Sequence, residues 1–165
     1  MDELHEVRVG VRAIERFIPV LGQERVQEAL ETARVARDRL SRRVVWNVNS
    51  TAVGGGVAEM LPALLGYTRA LGIDSRWLVI AGSPEFFRVT KRLHHALHGS
   101  KGDGSELDER AHEVYERTLT RNLRELEAVV RPDDVMLLHD PQTAGLGPGL
   151  LRLGARVIWR CHIGL

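Results

Sequence analysis

Hydrophobic residues fall along this chain in runs and in periodic stretches. Near-continuous apolar runs rich in Val, Ile, Leu or Trp occupy residues 43–49, 76–81, 135–139 and 156–162, as strands buried on both faces require. Helical stretches separate them, over 57–71, 84–97 and 106–130, with a loop at Gly99-Ser100-Lys101-Gly102-Asp103-Gly104 between the last two. Leu71-Gly72 reads as a helix C-cap, and Pro62 predicts a kink after the first turn of its helix. Residues 22–39 form a helix with a narrow stripe, Val26, Leu30, Ala33 and Arg37 marking successive turns. Ahead of it, residues 7–20 read as extended or irregular, because Val7, Val9 and Val11 alternate with polar or small residues until Pro19 interrupts them. They form an arm or an outlying strand.

Apolar strands alternating with helices imply a parallel sheet covered on both faces. Right-handed crossovers then make an α/β, Rossmann-like doubly wound parallel sheet the economical topology. The chain divides into an N-terminal arm and helix, residues 1–40, and a Rossmann-like domain, residues 41–165. Ligands of such sheets lie at the carboxyl ends of the strands. Three of those ends are polar, Asn49-Ser50, His139-Asp140 and Cys161-His162-Ile163-Gly164, and they are predicted to meet in one cleft. The sequence ends at Leu165 directly after the fourth strand, without the helix that should cover it. The expectation is an N-terminal domain of a longer chain.

Composition narrows the partners. Of 165 residues, 44% are hydrophobic and 27% charged, as in an ordinary globular domain able to bury a core. Lys and Arg number 23 against 22 Asp and Glu, a formal charge of +1 that recommends no nucleic-acid partner. The basic stretch from Arg34 to Arg43 reads as a solvated helix face. Cys161 is the one cysteine, which excludes an internal disulfide and fits a reducing compartment. Met1-Asp2-Glu3-Leu4-His5-Glu6 has neither the basic nor the apolar region of a signal peptide, and no apolar run approaches the ~18 residues of a membrane span. A cytoplasmic protein without a membrane partner is expected.

Candidate chemistry concentrates at the first strand end, where Gly54-Gly55-Gly56 leads into a helix that carries Glu59. Without Cβ atoms such a turn lets a ligand approach the main chain, and the helix N-terminus favours anions. The spacing is neither G-x-G-x-x-G nor that of a P-loop, since no lysine follows the glycines. A dinucleotide-binding reading also lacks an acidic residue after Val79-Ile80-Ala81-Gly82. His139-Asp140-Pro141-Gln142 presents an imidazole, a carboxylate and an amide suited to vicinal hydroxyls. Asp140 is equally suited to cap a helix over 143–153. His162 ends the last strand, on the face that alternation gives Arg160 and opposite Trp159 and Cys161. His94 and His98 lie one helical turn apart with no third ligand beside them, so a surface helix is expected and not a metal site. No G-x-S-x-G elbow is present, and Cys161 has no evident activating group. Trp46, Trp77 and Trp159 read as core residues.

In the same order, Val48-Asn49-Ser50-Thr51, Gly54-Gly55-Gly56-Val57-Ala58-Glu59, Trp77-Leu78-Val79-Ile80-Ala81-Gly82, Glu85-Phe86-Phe87-Arg88-Val89-Thr90-Lys91, His139-Asp140-Pro141-Gln142 and Trp159-Arg160-Cys161-His162 resemble the N-terminal domain of the trehalose glycosyltransferring synthases. That resemblance implies one half of a retaining GT-B glycosyltransferase. It would transfer glucose from a nucleoside diphosphate glucose, the ADP or UDP form, to glucose to give α,α-trehalose. Carried over, Gly55 and Gly56 approach the donor diphosphate, Gly54 shapes the turn and Glu59 faces the cleft. His162 borders the transferred sugar as the catalytic histidine, while His139, Asp140 and Gln142, with Asn49, hold the acceptor. Neither metal nor cofactor is implied. Partners are the two sugars, a C-terminal domain of the same chain that carries most nucleotide contacts, and a second copy through the sheet edge. The fragment alone is expected to be inactive. Alternatives are a trehalose phosphorylase, another GT-B transferase, and a non-catalytic sugar-binding module.

Overall fold

The computed structural model describes residues 3–163. Five strands, β1 His5–Val7, β2 Val45–Asn49, β3 Ser75–Val79, β4 Val135–His139 and β5 Arg156–Arg160, form one sheet in the order β1-β3-β2-β4-β5. β2 to β5 are parallel, and β1 pairs antiparallel with the edge of β3. The helices are α1 Ile18–Leu21, α2 Gln23–Leu40, α3 Gly56–Ala70, α4 Pro84–Leu97, α5 Glu109–Leu126, α6 Pro141–Ala144 and α7 Gly147–Arg152.

Strand alternation sorts the core into two layers. Trp46, Val48, Leu78, Met136 and Leu138 face Phe86 and Val89 of α4, Ala111, Val114, Leu119 and Leu126 of α5, and Leu150 of α7. On the other face α3 packs Ala58, Leu61 and Leu65 against Trp77 and Val79. The sheet is thus covered on both faces, as doubly wound sheets are. The chain leaves β2 through α3 to reach β3 on one side, then returns through α4 and α5 to place β4 on the other. Strand order therefore reverses at β2, and the crevice beyond the carboxyl ends of β2 and β4 is the switch point at which such sheets bind ligands.

Several elements differ from their sequence reading. Residues 7–20 are not extended throughout: β1 ends at Val7, a 3-10 turn spans Ile14–Phe17, and α1 starts at Ile18 with Pro19 in its first turn. A missing amide costs no helical bond there. α3 runs unbroken from Gly56 to Ala70 through Pro62, with Leu61 and Leu65 buried on either side of the proline. α5 begins only at Glu109, because Asp108 caps it by accepting from the Ala111 N–H at 2.9 Å. The helix expected over 143–153 is two short ones, α6 and α7. Trp159 is not a core residue: it is 47% exposed, and its indole N–H donates to the Asp140 carbonyl at 2.9 Å. Gly164 lies outside the described residues. No helix among the described residues is long and apolar enough to cross a membrane.

Candidate functional site

β2 turns after Asn49 into the loop that feeds α3. Asn49 is buried, accepts from the Trp77 indole N–H at 2.8 Å and donates its amide to the Thr51 carbonyl at 2.8 Å. Thr51 in turn donates to the Val53 carbonyl at 2.6 Å. Both polar groups of Asn49, expected to meet the acceptor sugar, are therefore engaged in bracing the loop. Gly54 and Gly55 follow with φ of 76° and 86°, backbone conformations that side chains resist. A Cβ at Gly54, Gly55 or Gly56 would meet nothing within 4 Å, so this main chain is open to a ligand. Gly55 stands at the N-cap position of α3 with no side chain answering the helix's first N–H groups. Those donors and the helix dipole together suit an anion. Glu59 is exposed one turn further on, its N–H bonded to the Gly55 carbonyl at 3.1 Å.

At the end of β4, His139 is 1% exposed and both of its ring nitrogens are bonded. Nε2 lies 3.0 Å from Asn47 Oδ1 on β2, and Nδ1 lies 2.9 Å from His162 Nε2 beyond β5. Burial first, and then the neighbouring His162, push the His139 pKa down to about 4, with Asp140 opposing them and Arg160 adding to them. His139 is accordingly neutral at pH 7.

Asp140 takes a left-handed φ of 63°. Its carboxylate does not cap α6, which corrects the helix-capping reading, but accepts from the His162 N–H at 2.7 Å. That bond also ends β5 at Arg160, two residues short of its expected limit, because His162 turns out of the sheet to meet Asp140. The Asp140 N–H donates back to the Arg160 carbonyl at 2.9 Å, so the ends of β4 and β5 are tied in both directions. Gln142 is half-buried in α6. Tyr115 steadies that helix by donating to the Pro141 carbonyl at 2.7 Å and accepting from the Gly145 N–H at 3.0 Å.

The crevice thus gathers His139, Asp140 and His162 into one bonded unit, with the glycine loop rising from the adjacent strand. Beside the loop, Ser50, Thr51, Ile80, Gly82 and Phe87 line a cavity of about 330 Å³. Phe87 also borders a cavity of about 610 Å³ walled by Arg88, Lys91 and His95. A third cavity of about 420 Å³, among Arg42, Arg43, Arg76 and Arg131, lies at the amino edge of the strands, away from the histidines and from the edge where parallel sheets bind ligands. Among the described residues His94 and His98 gain no third metal ligand. Burial, followed by His98, lowers the His94 pKa.

Two buried asparagines that brace this end of the sheet escaped the sequence reading. Asn47 was hidden inside an apolar run, although strand alternation puts it on the Asn49 face. Asn122, fully buried in α5, accepts from the Ala81 N–H at 2.8 Å and donates to the Ala81 carbonyl at 2.9 Å, closing the end of β3. Its signal was a polar residue at core spacing between Leu119 and Leu126.

The family described as "Trehalose synthase, N-terminal domain" matches residues 47–165. A trehalose synthase from Pyrococcus horikoshii is 38% identical over 165 residues, which is 100% of this chain and 38% of that protein. A trehalose phosphorylase from Pleurotus pulmonarius is 34% identical over 122 residues, covering 70% of this chain and 16% of that protein. Among solved structures, an alpha,alpha-trehalose 6-phosphate synthase from Burkholderia multivorans superimposes with a TM-score of 0.52 at 17% identity, over 71% of this chain and 33% of that one. At that identity the likeness is one of fold, the N-terminal half of a GT-B arrangement. The chain spans 38% of the length of the trehalose synthase it matches over its whole extent.

Proposed function

The chain belongs to the family of trehalose synthase N-terminal domains, and from that premise we propose that it is the acceptor-side half of a retaining glycosyltransferase that moves glucose from a nucleoside diphosphate glucose to glucose, forming α,α-trehalose. The observation that carries this reading is the pairing of two complementary ends at one switch point. Open main-chain N–H groups at Gly54 to Gly56 suit a diphosphate, and a neutral, buried His139, bonded to Asn47 and to the His162 ring whose backbone Asp140 holds, suits a sugar.

In this mechanism the protein orients and stabilises. The glycine loop and the α3 N-terminus neutralise charge that grows on the leaving diphosphate. The Asp140 carboxylate holds the His162 backbone, and His139 holds its ring, so His162 borders the transferred sugar in a set position. Asp140 and Gln142 contact the acceptor from the β4 end, Glu59 faces the cleft from α3, and Asn49 keeps the loop in shape. A second domain of the same polypeptide supplies most contacts to the nucleotide and closes the cleft.

The test is product analysis. The whole enzyme and this 165-residue chain are each incubated with glucose and a panel of nucleoside diphosphate glucoses, and trehalose is scored by chromatography and mass spectrometry. Trehalose from the whole enzyme alone is expected. Turnover by this chain alone would overturn the two-domain site, and donor consumption with a different acceptor would overturn the acceptor. The phosphorylase resemblance supports a second reading, which predicts that trehalose is cleaved with inorganic phosphate and without a nucleotide.

A further inference from the structure

The structure assigns Asn47 a role as the positioning residue that sets the direction of the hydrogen-bond chain through His139 to His162 and so leaves His162 Nδ1 an acceptor. A neutral imidazole has one donor nitrogen and one acceptor nitrogen. Asn47 turns its carboxamide oxygen toward His139 Nε2 at 3.0 Å, and an oxygen can only accept, so Nε2 carries the proton. His139 Nδ1 is then the acceptor, and its partner at 2.9 Å, His162 Nε2, is the donor. In neutral His162 the remaining lone pair stands on Nδ1. The opposite face of the same carboxamide would reverse every bond and make His162 Nδ1 a donor. One side-chain orientation at Asn47 therefore decides the chemistry two residues away along the chain of bonds.

Asn47 is well placed to hold that orientation. It is 3% exposed, lies in the centre of β2, and is paired in register with Trp77 of β3 and Leu137 of β4. Strand alternation puts it on the same face as His139, with no backbone freedom to slip.

For the ligand the difference is chemical. An acceptor nitrogen takes the O–H of a sugar hydroxyl and is repelled by a phosphate oxygen, which can only accept. On the functional reading above, the histidine end therefore takes a sugar hydroxyl and the glycine end takes the diphosphate. The bond direction itself rests on geometry alone; only its consequence for substrate rests on that reading.

The experiment is nuclear magnetic resonance on the 165-residue chain with ¹⁵N-labelled histidine at pH 7. One-bond N–H couplings locate each ring proton, and the coupling across the N–H···N bond shows which ring donates. Protons on Nε2 of both His139 and His162 are expected. Asn47→Asp, whose carboxylate is acceptor-only, should keep that direction and make His139 titrate at higher pH. Asn47→Leu should lose it, with a proton appearing on His139 Nδ1. A proton on His139 Nδ1 in the unaltered chain overturns the inference, as does an Asn47→Leu protein with unchanged direction. If Asn47→Leu fails to fold, reversal in Asn47→Asp overturns it and retention supports it. Reversed polarity in a protein whose whole enzyme makes trehalose would sink this inference alone, whereas the expected polarity without sugar transfer would sink the functional reading alone.

Discussion

Acid should destabilise this domain through His139. Burial and His162, joined by Arg160 and opposed by Asp140, hold its pKa at about 4 against an ordinary 6.5. Above pH 6.5 neither the folded nor the unfolded chain binds the proton, and stability is complete. As pH falls from 6.5 toward 4 the unfolded chain alone takes it up, so stability declines, and below about 4 both states are protonated and the loss levels off. A displacement of that size is worth about 3 kcal/mol when fully expressed. About 2 kcal/mol of it accrues between pH 7 and pH 5. Half-buried His162 admits some water to the pair, and screening brings the figure to look for down to about 1–2 kcal/mol. Urea unfolding of the unaltered chain and of His139→Gln at both pH values isolates the effect, because carboxylates elsewhere titrate alike in the two proteins. The unaltered chain should lose about 1–2 kcal/mol more than the variant on going from pH 7 to pH 5. Equal pH dependence in the two proteins, or a His139 ring that titrates at its ordinary pKa, would refute the reasoning.

Three further outcomes follow from single residues. Asn122→Leu leaves the Ala81 N–H and carbonyl unpaired beneath α5 and should cost about 2–3 kcal/mol; an unchanged melting temperature would mean that water replaces both bonds. Gly55→Ala meets no atom within 4 Å but must hold φ 86° and ψ 151°, so it should cost about 1–3 kcal/mol of stability. In the whole enzyme the same change should weaken donor binding by about tenfold, and unaltered donor affinity would move the diphosphate away from this loop. Asp140→Asn keeps an acceptor for the His162 N–H and leaves the strain of φ 63° and ψ 175° as it is. It should unfold in urea close to the unaltered chain, whereas Asp140→Ala, which leaves the His162 N–H without its acceptor, should lose about 2 kcal/mol; equal midpoints for the two variants would show that the bond contributes nothing.

Much of the fold was legible because its signals are local. The runs at 43–49 and 135–139 read as strands since unbroken apolar residues suit a sheet covered on both sides, and the glycines after β2 read as an open turn since only they take positive φ without strain. Local signals failed where a distant partner outweighed them. An Asp-Pro pair reads as a helix start, yet the Asp140 carboxylate is drawn to the His162 N–H because β5 lies beside β4. Trp159 sits in an apolar strand, yet it stands at the open edge of the sheet, where β5 has a neighbour on one side only. Pro62 lies inside α3, which continues past it to Ala70 with Leu61 and Leu65 buried on either side of the proline.

By itself, then, the sequence determined β2 to β5 and the long helices α2 to α5 to within a few residues, where the backbone is bare, and which polar residues stand at strand ends. Periodicity and the lack of a Cβ are properties of neighbouring residues and need no knowledge of the rest of the chain. Only the tertiary structure decided which of those ends share a crevice and what protonation they hold. Asn47 and His139 are 92 residues apart and meet only because the return crossover sets β4 against β2. The His139 pKa is set by the burial and the second histidine that this packing brings, since desolvation depends on everything that surrounds a group in space and on nothing beside it in sequence.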